Sequence, residues 1–204
     1  MRTAARATGR ALWVAIRTMA VLTVLCGVLY PLVVTGVGQL VLPAQANGSL
    51  VESADGEVVG SALIGQGFLD ADGDPLRRYF QSRPSAAGDG WDGANSYGSN
   101  HGPENGDLVA AIAERRARVA EFDGVREDQV PPDAVTASAS GLDPHISPEY
   151  AAIQVARIAE ARGIPADRVR QLVAAHTRGR DLGYLGEPTV NVLTLNLALD
   201  ELEG

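Results

Sequence analysis

The chain has 204 residues, no lysine, one cysteine and a formal net charge of −8 at pH 7. The charge is unevenly divided: the first seventeen residues carry four arginines and no acid, and the remainder carries all twenty-five acids against thirteen arginines, a formal −12. An acidic body of this kind lacks the basic surface that nucleic acids require, and the lone Cys26 excludes an intramolecular disulfide.

The N-terminal quarter contains twenty-five consecutive uncharged residues, from Thr18 to Leu42. As a helix this run would measure roughly 37 Å, enough to cross a hydrocarbon layer of about 30 Å. A signal peptide usually needs an apolar core of only about 7 to 15 residues, so a retained anchor is favoured. Cleavage is the alternative, because Pro31 interrupts the run and Ala44-Gln45-Ala46 has the form of a processing site.

The basic residues predict how the anchor is oriented. Four of them precede or open the uncharged run: Arg2, Arg6, Arg10 and Arg17. By the positive-inside rule they hold the N-terminus in the cytoplasm. We therefore predict a cytoplasmic N-terminus at residues 1–11, a single transmembrane helix in the cell membrane at 12–42 and an extracytoplasmic soluble domain at 43–204.

The soluble part begins with a predicted β-hairpin. Two apolar-rich runs, Leu50 to Ser53 and Glu57 to Ile64, flank the pair Asp55-Gly56. Such a pair suits a tight hairpin turn, in which both central residues favour positive φ.

Three helices are predicted next. The first follows Asn105, a good N-cap, with apolar residues spaced along one face. The second has Ser147 at the N-cap, Pro148 at its first position and Gly163 just past its end. The third starts at about Pro165.

The C-terminal run alternates between leucine and other residues, with Leu193, Leu195, Leu197 and Leu199 on one side. This alternation predicts a strand with one face in the core. Helices and strands do not alternate regularly, so the fold class is α+β: one transmembrane helix followed by one compact mixed α/β domain.

Several clusters resemble reactive sites, and each has a simpler interpretation. Asp70, Asp72 and Asp74 begin like a calcium loop, but Pro75 stands where glycine must turn the chain, which favours a solvated acidic loop. A metal site could form from the histidines 101, 145 and 176, although no short ligand spacing supports one. We predict no metal site.

Nucleophilic catalysis is the other chemical possibility. Ser138, Ser140, Asp143 and His145 are close in sequence, yet triads are assembled from separated segments, and these residues suit turns and a helix start. No phosphate-binding glycine loop is present. The segments Tyr79 to Ala86, with Arg83, and Ser96 to Leu108 could hold an anion but are better interpreted as ordered surface loops. We predict no catalytic residue.

Four segments resemble a known family: "YFQSRPSA" (Tyr79 to Ala86), "GSNHGPENGDL" (Gly98 to Leu108), "VTASASGLDPHISPEYAAIQVARIAEARG" (Val135 to Gly163) and "LGEPTVNVLTLNLALD" (Leu185 to Asp200). They are similar to the C subunit of the Kdp high-affinity potassium-transporting P-type ATPase, the KdpC family. The likeness covers nearly the whole chain, and one N-terminal span followed by a soluble domain matches the family's topology.

The resemblance implies an accessory subunit without a catalytic site of its own. Its partners would be a channel-like potassium-translocating A subunit, an ATP-hydrolysing B subunit and a small F subunit, all in the membrane. No cofactor would be tightly bound, because the complex handles ATP and potassium. The subunit would stabilise assembly and act as a catalytic chaperone that raises the ATP affinity of the B subunit.

The family proposal of a nucleotide-touching glutamine on a helix points to Gln154. ATP is cytoplasmic and the predicted topology puts Gln154 on the other side, so we expect an indirect effect and a structural Gln154. In the membrane, Gly27, Gly36 and Gly38 would let a neighbouring helix approach closely. The acidic domain could cap the outer potassium entrance and concentrate the ion.

Two other function classes stay open. One is an anchored extracytoplasmic hydrolase that uses Asp143 and His145. The other is a secreted binding module that is released by cleavage at Ala46.

Overall fold

The computed structural model describes residues 2–53 and 55–202. It consists of two units, Met1–Ser49 and Leu50–Gly204. The first is helical and the second mixes helices with short strands, which confirms the predicted fold class.

The N-terminal unit contains the helix predicted to span the membrane. Helix α1 (Arg2–Val24) runs through a π-helical turn (Leu25–Leu29) into α2 (Tyr30–Val41), and a short α3 (Pro43–Ala46) follows. The stretch Thr8–Val41 is long and apolar enough to cross a membrane. Pro31 has no N–H to donate one turn back, and π-helical turns are a common way to accommodate such an interruption.

The predicted pairing of two strands is confirmed, but the turn is shifted: the amide of Gly56 donates to the carbonyl of Ser53 at 2.9 Å, so Gly56 is the last residue of the turn and not one of its two central residues. Strand β1 (Leu50–Glu52) pairs antiparallel with β2 (Val58–Ser61), with a register shift between Val51 and Glu52. Gly56 in the turn has φ +79°, a conformation that glycine adopts without steric cost.

The three predicted helices are also confirmed, with the caps that their sequences indicate. Asn105 accepts hydrogen bonds from two backbone amides at the start of α4 (Gly106–Asp123). Ser147 accepts one at the start of α5 (Pro148–Arg162), which ends at Gly163 with φ +66°. Helix α6 (Ala166–His176) follows after Pro165.

The C-terminal run is not the predicted strand. Strand β5 covers only Thr189–Asn191, and α7 (Val192–Glu201) replaces the alternating strand. Asn191 caps this helix by accepting from the amide of Thr194. The residues Val192, Leu195, Asn196 and Leu199 lie one helical turn apart and are all buried, so a helical period suits the run as well as a strand period.

A small antiparallel sheet lies beside these helices. Strand β5 is central, between β3 (His145–Ile146) and β4 (Thr177–Arg178). The core is built from apolar residues of this sheet and of helices α4 to α7, and the largest that are wholly buried include Phe80, Ile146, Ile158, Leu195 and Leu199. Phe80 shows that the segment Tyr79 to Ala86 is not the surface loop that we predicted.

Candidate functional site

A buried ion pair lies at the centre of a polar cluster inside the domain. Arg157 of α5 donates from Nε to Oδ1 of Asp123, the last residue of α4, at 2.7 Å. The two side chains are only 1% and 2% exposed. Arg157 also stacks over the ring of Phe122, with its guanidinium carbon 4.4 Å from the ring centroid. The pair therefore joins two helices inside the domain, where water cannot screen it.

The remaining donors of Arg157 hold a separate stretch of chain, residues 77–81, which we call the clamped segment. Nη1 donates to the carbonyl oxygens of Arg77 and Tyr79, and Nη2 donates to Oε1 of Gln154 at 2.8 Å. Among the described residues, no strand pairs with the clamped segment. Side chains therefore provide hydrogen bonds that a neighbouring strand would provide in a sheet.

Gln154, the residue of α5 to which the family proposal of nucleotide contact points, is part of this cluster and is fully buried. Its Oε1 accepts from the backbone amide of Gln81 at 2.7 Å, and its Nε2 donates to the carbonyl of the same residue at 3.2 Å. Oε1 also accepts from Arg157. Both ends of the carboxamide are thus bonded within the protein.

Asn196 of α7 binds the backbone of Phe80 in the same way as Gln154 binds that of Gln81. Its Oδ1 accepts from the amide of Phe80 at 2.9 Å, and its Nδ2 donates to the carbonyl of Phe80 at 3.0 Å. Arg162 donates to the carbonyl of Arg78 and to Asp200. Helices α5 and α7 therefore hold the clamped segment from two elements at once.

Burial dominates the electrostatics of the ion pair. Desolvation raises the pKa of Asp123, and the charge and hydrogen bond of Arg157 oppose that shift. Desolvation likewise lowers the pKa of Arg157, against the attraction of Asp123. A neutral partner would leave the other charge buried and unpaired, so each group depends on the other to remain in the core.

A second polar cluster lies where β3 begins. Arg83 donates to Oδ2 of Asp143 at 2.9 Å and to the carbonyl of Thr136 at 3.2 Å. Oδ1 of Asp143 accepts from the backbone amide of His145 at 3.0 Å and lies 3.3 Å from its ring Nδ1. Burial opposes ionisation of Asp143, but hydrogen bonds from His145 and Arg83 outweigh it and lower the pKa to about 2.

The serines of the hypothetical triad are engaged in a turn. Oγ of Ser138 accepts from the amides of Gly141 and Asp143, and Oγ of Ser140 accepts from the amide of Leu142. The structure thus brings Asp143 and His145 together but gives the hydroxyls the backbone-capping role that a turn requires.

The acidic loop near residue 70 is closed by hydrogen bonds between the side chain of Asp70 and backbone amides of the loop. Oδ1 of Asp70 accepts from the amides of Asp72 and Asp74 at 3.0 and 2.9 Å. Within the described part of the chain, no group of three or more His, Cys, Asp or Glu side chains is arranged to hold a metal ion.

The three glycines of the candidate membrane span have different surroundings. Gly27 lies in the π-helical turn, with only the methyl group of Thr23 near the position of an added Cβ. Nothing within the described unit is near Gly36. Gly38 is covered by Ala46 of α3, whose Cβ would lie 3.8 Å away. Gly27 and Gly36 thus leave open surface on the helix.

Sequence reasoning did not identify Arg157, Asp123 or Asn196. A signal for the first was present: Arg157 falls three residues after Gln154 on the face of α5 that also carries Tyr150 and Ile158. A charged residue on an apolar helix face indicates a buried partner. The sequence did not say which acid that partner is.

The chain was also compared with known proteins. A family model described as "K+-transporting ATPase, c chain" matches residues 12–201. A protein of Kineococcus radiotolerans is 60% identical over 173 residues, covering 85% of this chain and 84% of its own length. One of Gemmatimonas aurantiaca is 58% identical over 184 residues, covering 90% and 88%. One of Mycobacterium tuberculosis is 52% identical over 194 residues, covering 95% and 99%. All three are named potassium-transporting ATPase KdpC subunits.

Proposed function

The chain belongs to the KdpC family of potassium-transporting ATPase subunits, and from this premise we propose that it stabilises the assembled pump as an accessory subunit. Its partners are a channel-like A subunit, an ATP-hydrolysing B subunit and a small F subunit. One observation carries the proposal: the family match runs through both the membrane-length helix Thr8–Val41 and the folded domain after it. Depleting the chain from cells should therefore lower the yield of intact complex, and an unchanged yield would contradict the assembly role.

The domain lies outside the cytoplasm in this proposal. The arginines at 2, 6, 10 and 17 keep the N-terminus inside, with 1–11 cytoplasmic, 12–42 in the membrane and 43–204 outside. A protease added to intact protoplasts should digest the domain and should spare it in inside-out vesicles. The reverse pattern would overturn the orientation.

The effect on ATP affinity is indirect and passes through the membrane helices. Support comes from Gln154, which is fully buried and whose oxygen and nitrogen are both bonded inside the domain, to Gln81 and Arg157. Gln154→Leu should lower the yield of assembled complex and its thermal stability, while the KM for ATP of the complex that does assemble stays unchanged. A raised KM at unchanged thermal stability would instead indicate direct contact with nucleotide.

Helix packing in the membrane uses the open glycines. Gly36 and Gly38 are two residues apart, so they point about 200° apart on the helix and cannot serve one contact. Because Gly38 is already covered by Ala46, the neighbouring helix packs on Gly27 or Gly36. Gly36→Leu should release the chain from the complex, whereas Val37→Leu, the matched control, should not.

The acidic domain also caps the outer potassium entrance and attracts the ion, over a range of about 10 Å at ordinary ionic strength. Asp72, Asp74 and Asp89 are suited to the test because they are exposed. Asp70 and Asp92 should be left intact, since each caps its own loop. Changing the three exposed acids to asparagine should weaken the apparent potassium affinity at low salt but not at high salt. An unchanged apparent potassium affinity at low salt would contradict this proposal.

A further inference from the structure

The loop between β4 and β5 presents three large apolar side chains to solvent. Leu182 is 81% exposed, Tyr184 is 68% exposed and Leu185 is 49% exposed. We call residues 182–185 the apolar tip. Single exposed apolar residues are ordinary, but three neighbours on one short turn form a patch of the kind that marks an interaction site.

The loop is held in place by its own bonds, independently of these side chains. Asp181 and Leu185 exchange two backbone hydrogen bonds, both of 2.9 Å. Two ion pairs brace the base of the loop, Arg178 with Asp181 and Arg180 with Glu187. The backbone of the turn is thus already ordered, so binding has to immobilise only the three side chains, which favours binding.

Leucine is an unfavourable residue type at position 182 of this turn. The amide of Tyr184 donates to the carbonyl of Asp181, which makes Leu182 and Gly183 the two central residues of a tight turn. Their φ angles are +54° and +83°. Asparagine, aspartate or glycine normally fills such positions, because a longer side chain is strained at positive φ. Turn stability therefore does not account for the leucine, and a strained residue of this kind points to a role outside the turn.

The charges indicate what the tip contacts. The three charged residues of the loop are paired, Asp181 with Arg178 at the end of β4 and Arg180 with Glu187, so the tip is electrically neutral on a domain of formal charge −12. Such a domain is repelled by an anionic lipid surface, whereas a neutral apolar tip complements an apolar protein surface. We propose that the apolar tip inserts into an apolar pocket on a neighbouring subunit of the same ATPase. This inference rests on the proposed assembly function.

The test uses the full chain, tagged and produced together with the other subunits. After extraction in mild detergent and affinity purification, the amount of co-purified ATP-hydrolysing subunit per chain is measured by quantitative mass spectrometry. The double variant Leu182→Asn with Leu185→Asn should lower that ratio about tenfold or more, as loss of a central apolar anchor does. The matched control Leu63→Asn changes a leucine that is 62% exposed on a different loop and should keep the ratio of the unchanged chain.

Two further measurements separate docking from misfolding and from lipid contact. Leu182→Asn alone should unfold no earlier than the unchanged chain, since asparagine tolerates positive φ, while still reducing the ratio. A photoreactive p-benzoylphenylalanine in place of Tyr184 should cross-link to a subunit of the complex. Cross-linking to lipid, or an unchanged ratio in the double variant, overturns the inference and leaves the proposed function standing. If the unchanged chain brings down no ATPase subunit, the proposed function fails and the inference fails with it.

Discussion

The ion pair between Asp123 and Arg157 has a matched counterpart on the surface, which makes the effect of burial measurable. Arg126 and Asp128 form a bidentate pair with distances of 2.9 and 2.8 Å, but their side chains are 75% and 67% exposed. Asp123→Asn and Asp128→Asn therefore remove the same charge from the same kind of partner. The surface pair has two hydrogen bonds and the buried pair has one, so a larger effect at Asp123 must come from its burial.

The expected effect of Asp123→Asn is large. The change leaves the guanidinium of Arg157 buried without a counter-charge, a situation that costs about 3 to 5 kcal/mol. For a domain of this size, 1 kcal/mol corresponds to about 2 to 4 °C in melting temperature, so we expect a decrease of roughly 10 °C. Solvent screens the surface pair almost fully, so Asp128→Asn should produce no resolvable decrease.

The assay is thermal unfolding of the full chain in detergent micelles, followed by near-ultraviolet circular dichroism. Folding of the domain is reported by Trp91, which packs beside Gly65 and Gly67. Equal melting temperatures for the two variants would refute the reasoning, because they would mean that the surroundings of the Asp123 pair do not matter.

Three other changes test the remaining parts of the structure by denaturant unfolding. Asn196→Ala should destabilise the domain by about 2 to 4 kcal/mol, because the buried amide and carbonyl of Phe80 both lose their partner. An unchanged stability would contradict the buried position of Asn196. Gly163→Ala should cost about 1 kcal/mol at φ +66°, and an increase in stability would contradict the left-handed helix end. Asp143→Asn should destabilise the domain by about 1 kcal/mol at pH 6, a value discounted for partial exposure. The folded pKa of Asp143 is lowered to about 2, so its charge stabilises the domain fully above the unfolded pKa of about 4. The difference in stability between the variant and the unchanged chain should therefore vanish as the pH falls through 2. A difference that grows in acid would contradict the lowered pKa.

Local signals were sufficient for most of the helices and for the hairpin. Asn105, Ser147 and Gly163 act on backbone groups within a few residues of themselves, so their roles can be inferred from the sequence alone. The signal at Asp55-Gly56 is equally local, and it located the hairpin although the turn ends at Gly56 instead of being centred on the pair. Elements whose ends are fixed by such residues were predicted correctly.

The errors arose where distant residues decide the structure. The leucines from 193 to 199 satisfy a strand period, but burial of Asn196 against Phe80, 116 residues earlier, favours the helical alternative. The clamped segment contains no periodic pattern, because its partners come from α5 and α7. Only the assembled fold reveals that these polar side chains hold backbone groups.

The central claim is that the chain is a working part of a potassium pump, and affinity purification from membranes tests it most directly. A tagged chain should bring down several other subunits in constant proportion, and the purified material should hydrolyse ATP faster when potassium is added. Recovery of the chain alone, or of an ATPase activity indifferent to potassium, would contradict the account.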